Sequence, residues 1–449
     1  MSQARSHWSN RWTFMLATAG SAIGLGNIWK FPYMTGVNGG SAFVLVFLAC
    51  IAIVGIPLMM CEIMLGRRAQ RNPIDGMHAL AQEAGSSRHW KWVGVMGLFA
   101  GILILAFYSV IAGWILHYVV EAARGSFIGM DGERAASAFQ QFLASPVELA
   151  LWHTMFIGMT LGVVARGVNA GLEQANKILM PSLFAILLVL LGYSMSVGDF
   201  HAALHFMFTP DFSKVTPTAV LSALGHAFFS LSLGMGAVMV YGSYLQRHVS
   251  IARTSIYIAL ADTLVGLLVG IAIFALVFAN HLEPGAGPGL IFQTLPIAFG
   301  RMPMGTIMGV LFFVLVAFAA WTSAISLVEP AVAWITENSR LNRKQSAWLI
   351  GIADWLLGIA VLLSFNLWQD IRLLFGLGIF DTLDKLTTTI MLPLGGLCMA
   401  VFAGWYMKTS HVAEELDISP LAYRAWRFTI RYISPLAIVA IFLYLTGLL

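Results

Sequence analysis

Apolar runs of twenty or more residues recur from one end of this 449-residue chain to the other, and that repetition restricts what it can become. A run of that length is what a helix needs to cross about 30 Å of hydrocarbon, where no water is available to satisfy a bare backbone. Such windows fall near residues 12–36, 41–65, 92–123, 149–165, 174–196, 218–246, 253–281, 305–336, 345–364, 380–407 and 427–448. The sequence therefore predicts an all-α polytopic membrane protein of about eleven spans. Charged residues are 10% of the chain, against about a quarter in a soluble domain, so no soluble unit of useful size is left over. Neither long linkers nor charge blocks divide the chain, and residues 1–449 are expected to form one bundle in a lipid bilayer.

The basic excess, a formal net charge of +4, is what short cytoplasmic loops require, and it gives no reason to invoke nucleic acid. Placing the N-terminus in the cytoplasm puts most Lys and Arg at cytoplasmic loops or span ends, among them Arg11, Arg67, Arg68, Arg71, Arg343, Lys344, Arg427 and Arg431. Eleven spans then leave the C-terminus outside a cell (inner) membrane. Basic residues before the first apolar stretch resemble a signal peptide, but the stretch is too long and no A-x-A-like cleavage site follows, so it is read as the first span. Cys50 and Cys61 would lie about 16 Å apart on one helix, too far to bridge. Nothing points to an obligate protein partner.

Two spans are interrupted in the same way, five helices apart. Span one carries Gly20-Ser21-Ala22-Ile23-Gly24-Leu25-Gly26-Asn27 and span six carries Leu231-Ser232-Leu233-Gly234-Met235-Gly236. Amides and carbonyls freed in hydrocarbon are tolerated only where protein or a lined cavity satisfies them. Matched interruptions in two halves point to a secondary transporter with inverted repeats; glycines serving only close helix packing would explain one such span more readily than a pair. An intramembrane hydrolase would need an activated nucleophile, and the chain has no G-x-S-x-G, no H-E-x-x-H and no Cys beside a His. The chain is expected not to be an enzyme.

Ionisable residues within spans are functional candidates by default, and here they are Glu62, His226, Asp262, Glu329 and Asp354. For Glu62, Glu329 and Asp354 helix-to-helix hydrogen bonds are the favoured role. The adjacent hydroxyls of Thr322 and Ser323 either bond back to helix carbonyls or serve a cation. Pro284, Gly285, Gly287, Pro288 and Gly289, followed by an apolar stretch through Phe299, predict a short helical hairpin folded over the outer mouth.

The stretch Arg5-x-His7-Trp8, then Gly24-Leu25-Gly26-Asn27-Ile28-Trp29-Lys30-Phe31-Pro32, Asn38-Gly39-Gly40 and Gly55-Ile56-Pro57, resembles the neurotransmitter:sodium symporter family. So do Phe228-Phe229-Ser230-Leu231-Ser232-Leu233-Gly234, Trp321-Thr322-Ser323-Ala324 with Pro330, and Asp381-x-x-Asp384. Eleven spans are similar to its shorter bacterial members. The resemblance implies a five-plus-five inverted repeat, 12–196 and 218–407, with 427–448 as an additional C-terminal helix. It also implies sodium-coupled uptake of a small zwitterionic amino acid by alternating access. A proton-coupled transporter of the same architecture is the rival reading, with Asp262 or His226 carrying the proton.

Carried over residue by residue, one sodium ion takes the Ala22 carbonyl, Asn27, Ser230, Asp262 and the substrate carboxylate. A second takes carbonyls of Gly20, Ile23 and Ala319 with the hydroxyls of Thr322 and Ser323. The substrate carboxylate meets the amides of Leu25 and Gly26 and the Tyr108 hydroxyl, where a helix start favours negative charge. Its amine rests against the carbonyls around Phe229, Ser230 and Ser232, leaving its side chain among Ile104, Phe229, Met235 and Leu327, and Ala22 and Ser323 complete the substrate-binding set. Because a thioether adapts to differently shaped groups, Met235 suggests hydrophobic or aromatic L-amino acids. Lys30 with Asp384 outside, and Arg5 with Glu337 inside, correspond to gates, the inner pair steadied by Ser243 and Tyr244. Gly171 and Pro181 correspond to a place where some bacterial relatives unwind; a glycine helix terminus followed by a proline kink reads equally well. Asp262 supplies a fixed charge, and Phe47, His226 and Gly266 depart from the family's chloride pattern, so chloride is expected to be dispensable.

Overall fold

The computed structural model describes residues 8–284 and 289–445, and every regular element among them is helical. The first crossing is split into α1 (Arg11–Ala22) and α2 (Phe31–Val37), joined through a π turn at Gly26–Lys30. Four unbroken crossings follow: α3 (Ser41–Ala69), α4 (Arg88–Ala123), α5 (Pro146–Val164) and α6 (Val168–Val197). The sixth is again split, into α7 (Pro217–Ser230) and α8 (Ala237–Gly242). The remaining five are α9 (Ile251–Ala279), α10 (Gly305–Asn338), α11 (Arg343–Leu363), α12 (Ile379–Tyr406) and α13 (Pro420–Tyr444). Among the described residues, nine helices are therefore long and apolar enough to cross a membrane unbroken, and the two exceptions are the crossings whose sequence breaks were recognised.

Local chemistry sets the helix starts. Asn10 with Thr13, and Asn342 with Gln345, form reciprocal capping boxes, and Thr216 accepts from the Ala219 amide just before Pro217. The long helices α4 and α10 pack extensively against each other, and α1 lies against α9 and α10. Both α4 and α10 exceed the roughly 20 residues a perpendicular crossing requires, so they must tilt or project beyond the hydrocarbon. Leu151, Ile178, Leu188 and Leu436 project outward as lipid-facing side chains.

The breaks are stabilised from neighbouring helices. At the sixth crossing the chain runs through Ser232, Gly234 and Gly236 at positive φ before α8 begins. The Gly234 amide donates to Glu62 Oε1 of α3 at 2.6 Å, which gives Glu62 the helix-to-helix role expected of it. Gly234 also has no room for a side chain: a Cβ there would lie 2.1 Å from the Leu392 carbonyl oxygen. Glu329 likewise joins helices, taking the Arg343 guanidinium at two oxygens, 3.0 and 2.5 Å away, and the Tyr244 hydroxyl at 2.8 Å.

Three expectations change. Asp354 is fully buried on α11, yet neither carboxylate oxygen has a hydrogen-bond partner among the described residues, so it joins no helices. That face presents Gly351, Gly358 and Val361, and the nearby His153 Nε2 lies 3.3 Å from the Trp355 carbonyl instead. Gly171 is not a helix terminus, because α6 opens with a π turn over Val168–Glu173 and continues through Pro181 without unwinding. Finally, the stretch after Gly289 forms a single helical arm, a π turn at Leu290–Thr294 leading into Leu295–Arg301, held by the Tyr118 hydroxyl donating to the Phe292 carbonyl at 2.8 Å. Gly285, Gly287 and Pro288 of that predicted hairpin lie outside the described residues.

Gly234→Ala should lower the folded yield and the melting temperature in detergent, because left-handed backbone costs an ordinary residue roughly 1–2 kcal/mol before the carbonyl clash is counted. Gly158→Ala, where a Cβ meets nothing within 4 Å, is the matched control and should melt like the parent. Equal melting of the two variants would remove the close approach at Gly234 as a determinant of the break.

Candidate substrate and cation site

At the first break the α1 hydrogen-bond pattern stops at Ile23, whose amide donates to the Ala19 carbonyl at 2.7 Å before the backbone extends. The next two amides turn elsewhere: Gly24 donates to Asn27 Oδ1 at 3.3 Å and Leu25 to the Tyr108 hydroxyl at 3.2 Å. The carbonyls thus freed are reached by side chains. Ser323 Oγ lies 3.2 Å from both the Gly20 and Ser21 carbonyls, and Ser232 Oγ donates to the Ser21 carbonyl at 2.8 Å. The two breaks are therefore tied directly to each other and to α10.

Between them lies a small cavity of about 20 Å³. Ala22, Leu25, Gly26, Ser232 and Ser323 form its polar side, with Tyr108. Ile104, Phe229, Met235 and Leu327 form its apolar side. The cavity brings together every residue expected around the substrate except Ser230, whose hydroxyl instead donates to Asp262 Oδ2 at 2.8 Å. Ser21 and Gly24 also line it and were not singled out. Their place inside the quoted break was the available signal; that the Ser21 hydroxyl is held by Ser326, 305 residues away, at 2.7 Å could not be read from it.

Oxygen-rich clusters flank this cavity on two sides. Asn27 Nδ2 donates to the Asp262 carboxylate at 2.8 Å and to the Asp262 carbonyl at 2.9 Å, which with Ser230 gathers three of the expected first-sodium residues around one buried carboxylate, while Ala22 lines the cavity. On the other side Thr322 Oγ1 bonds back to the Phe318 and Ala319 carbonyls at 3.1 and 3.0 Å, while its neighbour Ser323 reaches across to α1. Gly20 packs against Thr322 closely enough that a Cβ there would stand 3.2 Å from Thr322 Cβ. Neutral oxygens with at most one carboxylate suit an alkali cation, and among the described residues no cluster of three His, Cys, Asp or Glu offers a transition-metal site.

Both ends of the path are closed. On the α2 side Lys30 Nζ lies 3.9 Å from Asp384 Oδ1 and 4.6 Å above the Phe229 ring, so one ammonium covers the cavity and joins α12. On the α1 side Trp8 is buried: its indole donates to the Tyr241 carbonyl at 3.1 Å and its amide to the Tyr244 carbonyl at 3.2 Å. Ser9 is held in turn by Glu173 of α6. Arg5 lies outside the described residues. Glu337 Oε2 accepts from the Asn72 side chain at 2.7 Å, Ser243 donates to the Val240 carbonyl at 2.6 Å, and the Tyr244 hydroxyl goes to Glu329. Phe47 and His226 pack ring to ring at 5.2 Å beside Phe31, and a Cβ on Gly266 would stand 3.6 Å from the Asn27 amide. Phe47 and His226 thus share one ring cluster with Phe31, and Gly266 lies beside both Phe31 and Asn27.

Residues 5–127 and 134–447 match the sequence profile described as the sodium:neurotransmitter symporter family. A sodium-dependent transporter of Bacillus subtilis, YhdH, is 39% identical over 446 residues, 98% of each chain. A sodium-dependent transporter of Haemophilus influenzae is 33% identical over 448 residues, again 98% of each. The crystal structure of MhsT in complex with L-phenylalanine superposes with a TM-score of 0.91 at 42% identity, covering 98% of this chain and 99% of that one. The chain belongs to the sodium:neurotransmitter symporter family, whose members are sodium-coupled membrane transporters and not enzymes.

Proposed function

We propose that this chain imports hydrophobic or aromatic L-amino acids together with sodium, by alternating access around the cavity between its two breaks. The observation that carries the reading is the composition of that cavity: polar backbone and hydroxyls on one side, Ile104, Phe229, Met235 and Leu327 on the other. A zwitterion needs the first and an apolar side chain the second. The L-phenylalanine bound to MhsT, a chain of nearly the same fold, supports the same substrate class. The sodium dependence named for the relatives favours sodium over a proton as coupling ion.

In this reading the substrate carboxylate takes the Leu25 amide and Tyr108 hydroxyl now bonded to each other, and completes the ligand set of the first sodium beside Asn27, Ser230 and Asp262. The second sodium sits between α1 and α10 at Gly20, Ile23, Ala319, Thr322 and Ser323, exchanging the serine's hydrogen bonds for ion contacts. Each ion thereby fixes α1 against the scaffold, and only a fully loaded centre favours closure over its open alternatives. Lys30 and Asp384 close the outer side; Trp8, with Arg5 and Glu337, closes the cytoplasmic side. The N-terminus is cytoplasmic and the C-terminus outside the cell membrane, as the distribution of Lys and Arg supports. Residues 12–196 and 218–407 act as the two inverted repeats, with 427–448 as the added helix.

The direct test is purified protein in liposomes, supplied with labelled phenylalanine, tryptophan or leucine under an imposed sodium gradient. Uptake should require the gradient, and uptake of equal size with potassium in place of sodium would end the proposal. Thr322→Ala should weaken sodium roughly tenfold, since a desolvated partner is lost that water cannot replace in place, whereas Thr322→Ser should stay near the parent.

Met235→Phe replaces a soft side chain by a rigid ring in a cavity of about 20 Å³. Affinity for tryptophan should fall more than affinity for leucine. Parallel losses for both would take Met235 out of the side-chain pocket.

The buried Asp262 carboxylate already supplies a negative charge beside the first cation, and Phe47 and Gly266 carry no side-chain donor that could hold an anion. Replacing chloride by gluconate at constant sodium should leave uptake unchanged, and Asp262→Asn should weaken sodium binding without unfolding the protein. Loss of uptake in gluconate would overturn the charge assignment.

A further inference from the structure

A cavity of about 260 Å³ opens on the outside of the bundle, between the end of α5, the first turns of α6 and the middle of α10. Val163, Arg166, Gln174, Ile178, Leu179 and Trp321 line it. Arg166 and Gln174 are exposed at its rim, two residues past the end of α5 and at the close of the π turn, while Leu179 is buried and Ile178 faces outward. The groove thus passes from a polar rim at a helix end to an apolar wall within the span.

Its polar groups are one-sided. Lys177 is taken by Glu173 at 2.7 Å and Arg343 by Glu329 at 2.5 Å, but the Arg166 side chain has no ion pair or hydrogen bond among the described residues. The Trp321 indole N–H is buried and has no acceptor among them either. A buried donor without an acceptor is costly, and an unpaired guanidinium at the membrane surface attracts phosphate oxygens strongly. What satisfies both is a molecule with an anionic oxygen at one end, an uncharged acceptor oxygen below it and an apolar body beyond. A soluble amino acid has no such length of apolar chain.

We propose that this groove binds one anionic phospholipid, its phosphate on Arg166, an ester carbonyl on the Trp321 indole and an acyl chain along Ile178 and Leu179. Gly171 of the π turn also lines the groove. A lipid seated there packs against the same turn whose Glu173 holds Ser9, next to the Trp8 closure, so its occupancy is expected to bias opening of that end. The site rests on the membrane-spanning reading but not on the transported substrate; its binding test can fail while sodium-driven uptake stands.

The experiment is native mass spectrometry of the full-length protein in detergent, with equal amounts of phosphatidylglycerol and phosphatidylcholine of the same acyl chains. The parent should retain phosphatidylglycerol in preference. Arg166→Gln should cut that retention about fivefold, the worth of one cation near an anionic lipid surface. Arg166→Lys should keep most of it, and Trp321→Phe should lower retention of both lipids, since the ester is common to them. Arg134→Gln, an exposed arginine on the loop helix at the opposite end, is the charge control and should match the parent. Melting temperatures in the same detergent check that each variant is folded. No preference in the parent, or the same loss in Arg134→Gln as in Arg166→Gln, overturns the proposal. Displacement of the lipid by millimolar inorganic phosphate overturns it too, since the groove would then hold a free anion and not a lipid.

Discussion

Everything distinctive in this bundle depends on how it satisfies backbone groups that two helices give up in the middle of a membrane. A continuous span needs no help, because each amide finds a carbonyl four residues back. At Ile23–Leu25 and Leu231–Gly236 that supply fails, and the replacements come from elsewhere in the chain: Tyr108 for the Leu25 amide, Glu62 for Gly234, Ser232 and Ser323 for the Ser21 carbonyl. These are the groups a zwitterion or a cation can compete with. In the proposed reading, stabilising the breaks and building the binding centre are one set of contacts, and the neighbours cannot be altered for one purpose without affecting the other.

The same constraint explains which side chains surround the centre. Small residues are needed where backbones meet, so Gly24, Gly26 and Gly234 sit at the contacts, and a Cβ at Gly24 would stand 2.4 Å from Ser323 Oγ. Larger residues close the remaining space, and they differ in stiffness. Phe229 is held under the Lys30 ammonium, whereas Met235 has three rotatable bonds with which to follow the shape of what enters.

Much of this was legible in the sequence, and for a physical reason. Spans announce themselves by length and apolarity, and the breaks by glycines and serines where neither is expected, so the crossings and most of the cavity lining could be read directly. Partners distant in sequence could not. The Trp8 plug spans 233 residues to Tyr241, and the Glu62 contact 172 to Gly234; no periodicity encodes either. Ser230 was expected both beside the substrate amine and among the first-sodium ligands, and its hydroxyl goes to the second of these, donating to Asp262. Asp354 was misjudged because a mid-span carboxylate was expected to find a donor on a neighbouring helix, and among the described residues none reaches it. At Gly171, a glycine and a later proline suggested a broken helix, where a wide turn takes up the glycine and the helix beyond it runs on through Pro181.

The ammonium at Lys30 makes the two doors of the path unequal. It meets Asp384 at 3.9 Å with a quarter to two-fifths of each side chain in solvent, which places that closure among ion pairs worth about 1 kcal/mol or less. Trp8, at 1% exposure, removes an aromatic side chain of order 200 Å² from water, about 5 kcal/mol before ordering costs. In the proposed cycle the two closures would therefore not part with equal ease: the Lys30–Asp384 side yields for the loss of one solvated ion pair, whereas the other side opens only by returning a whole indole to water.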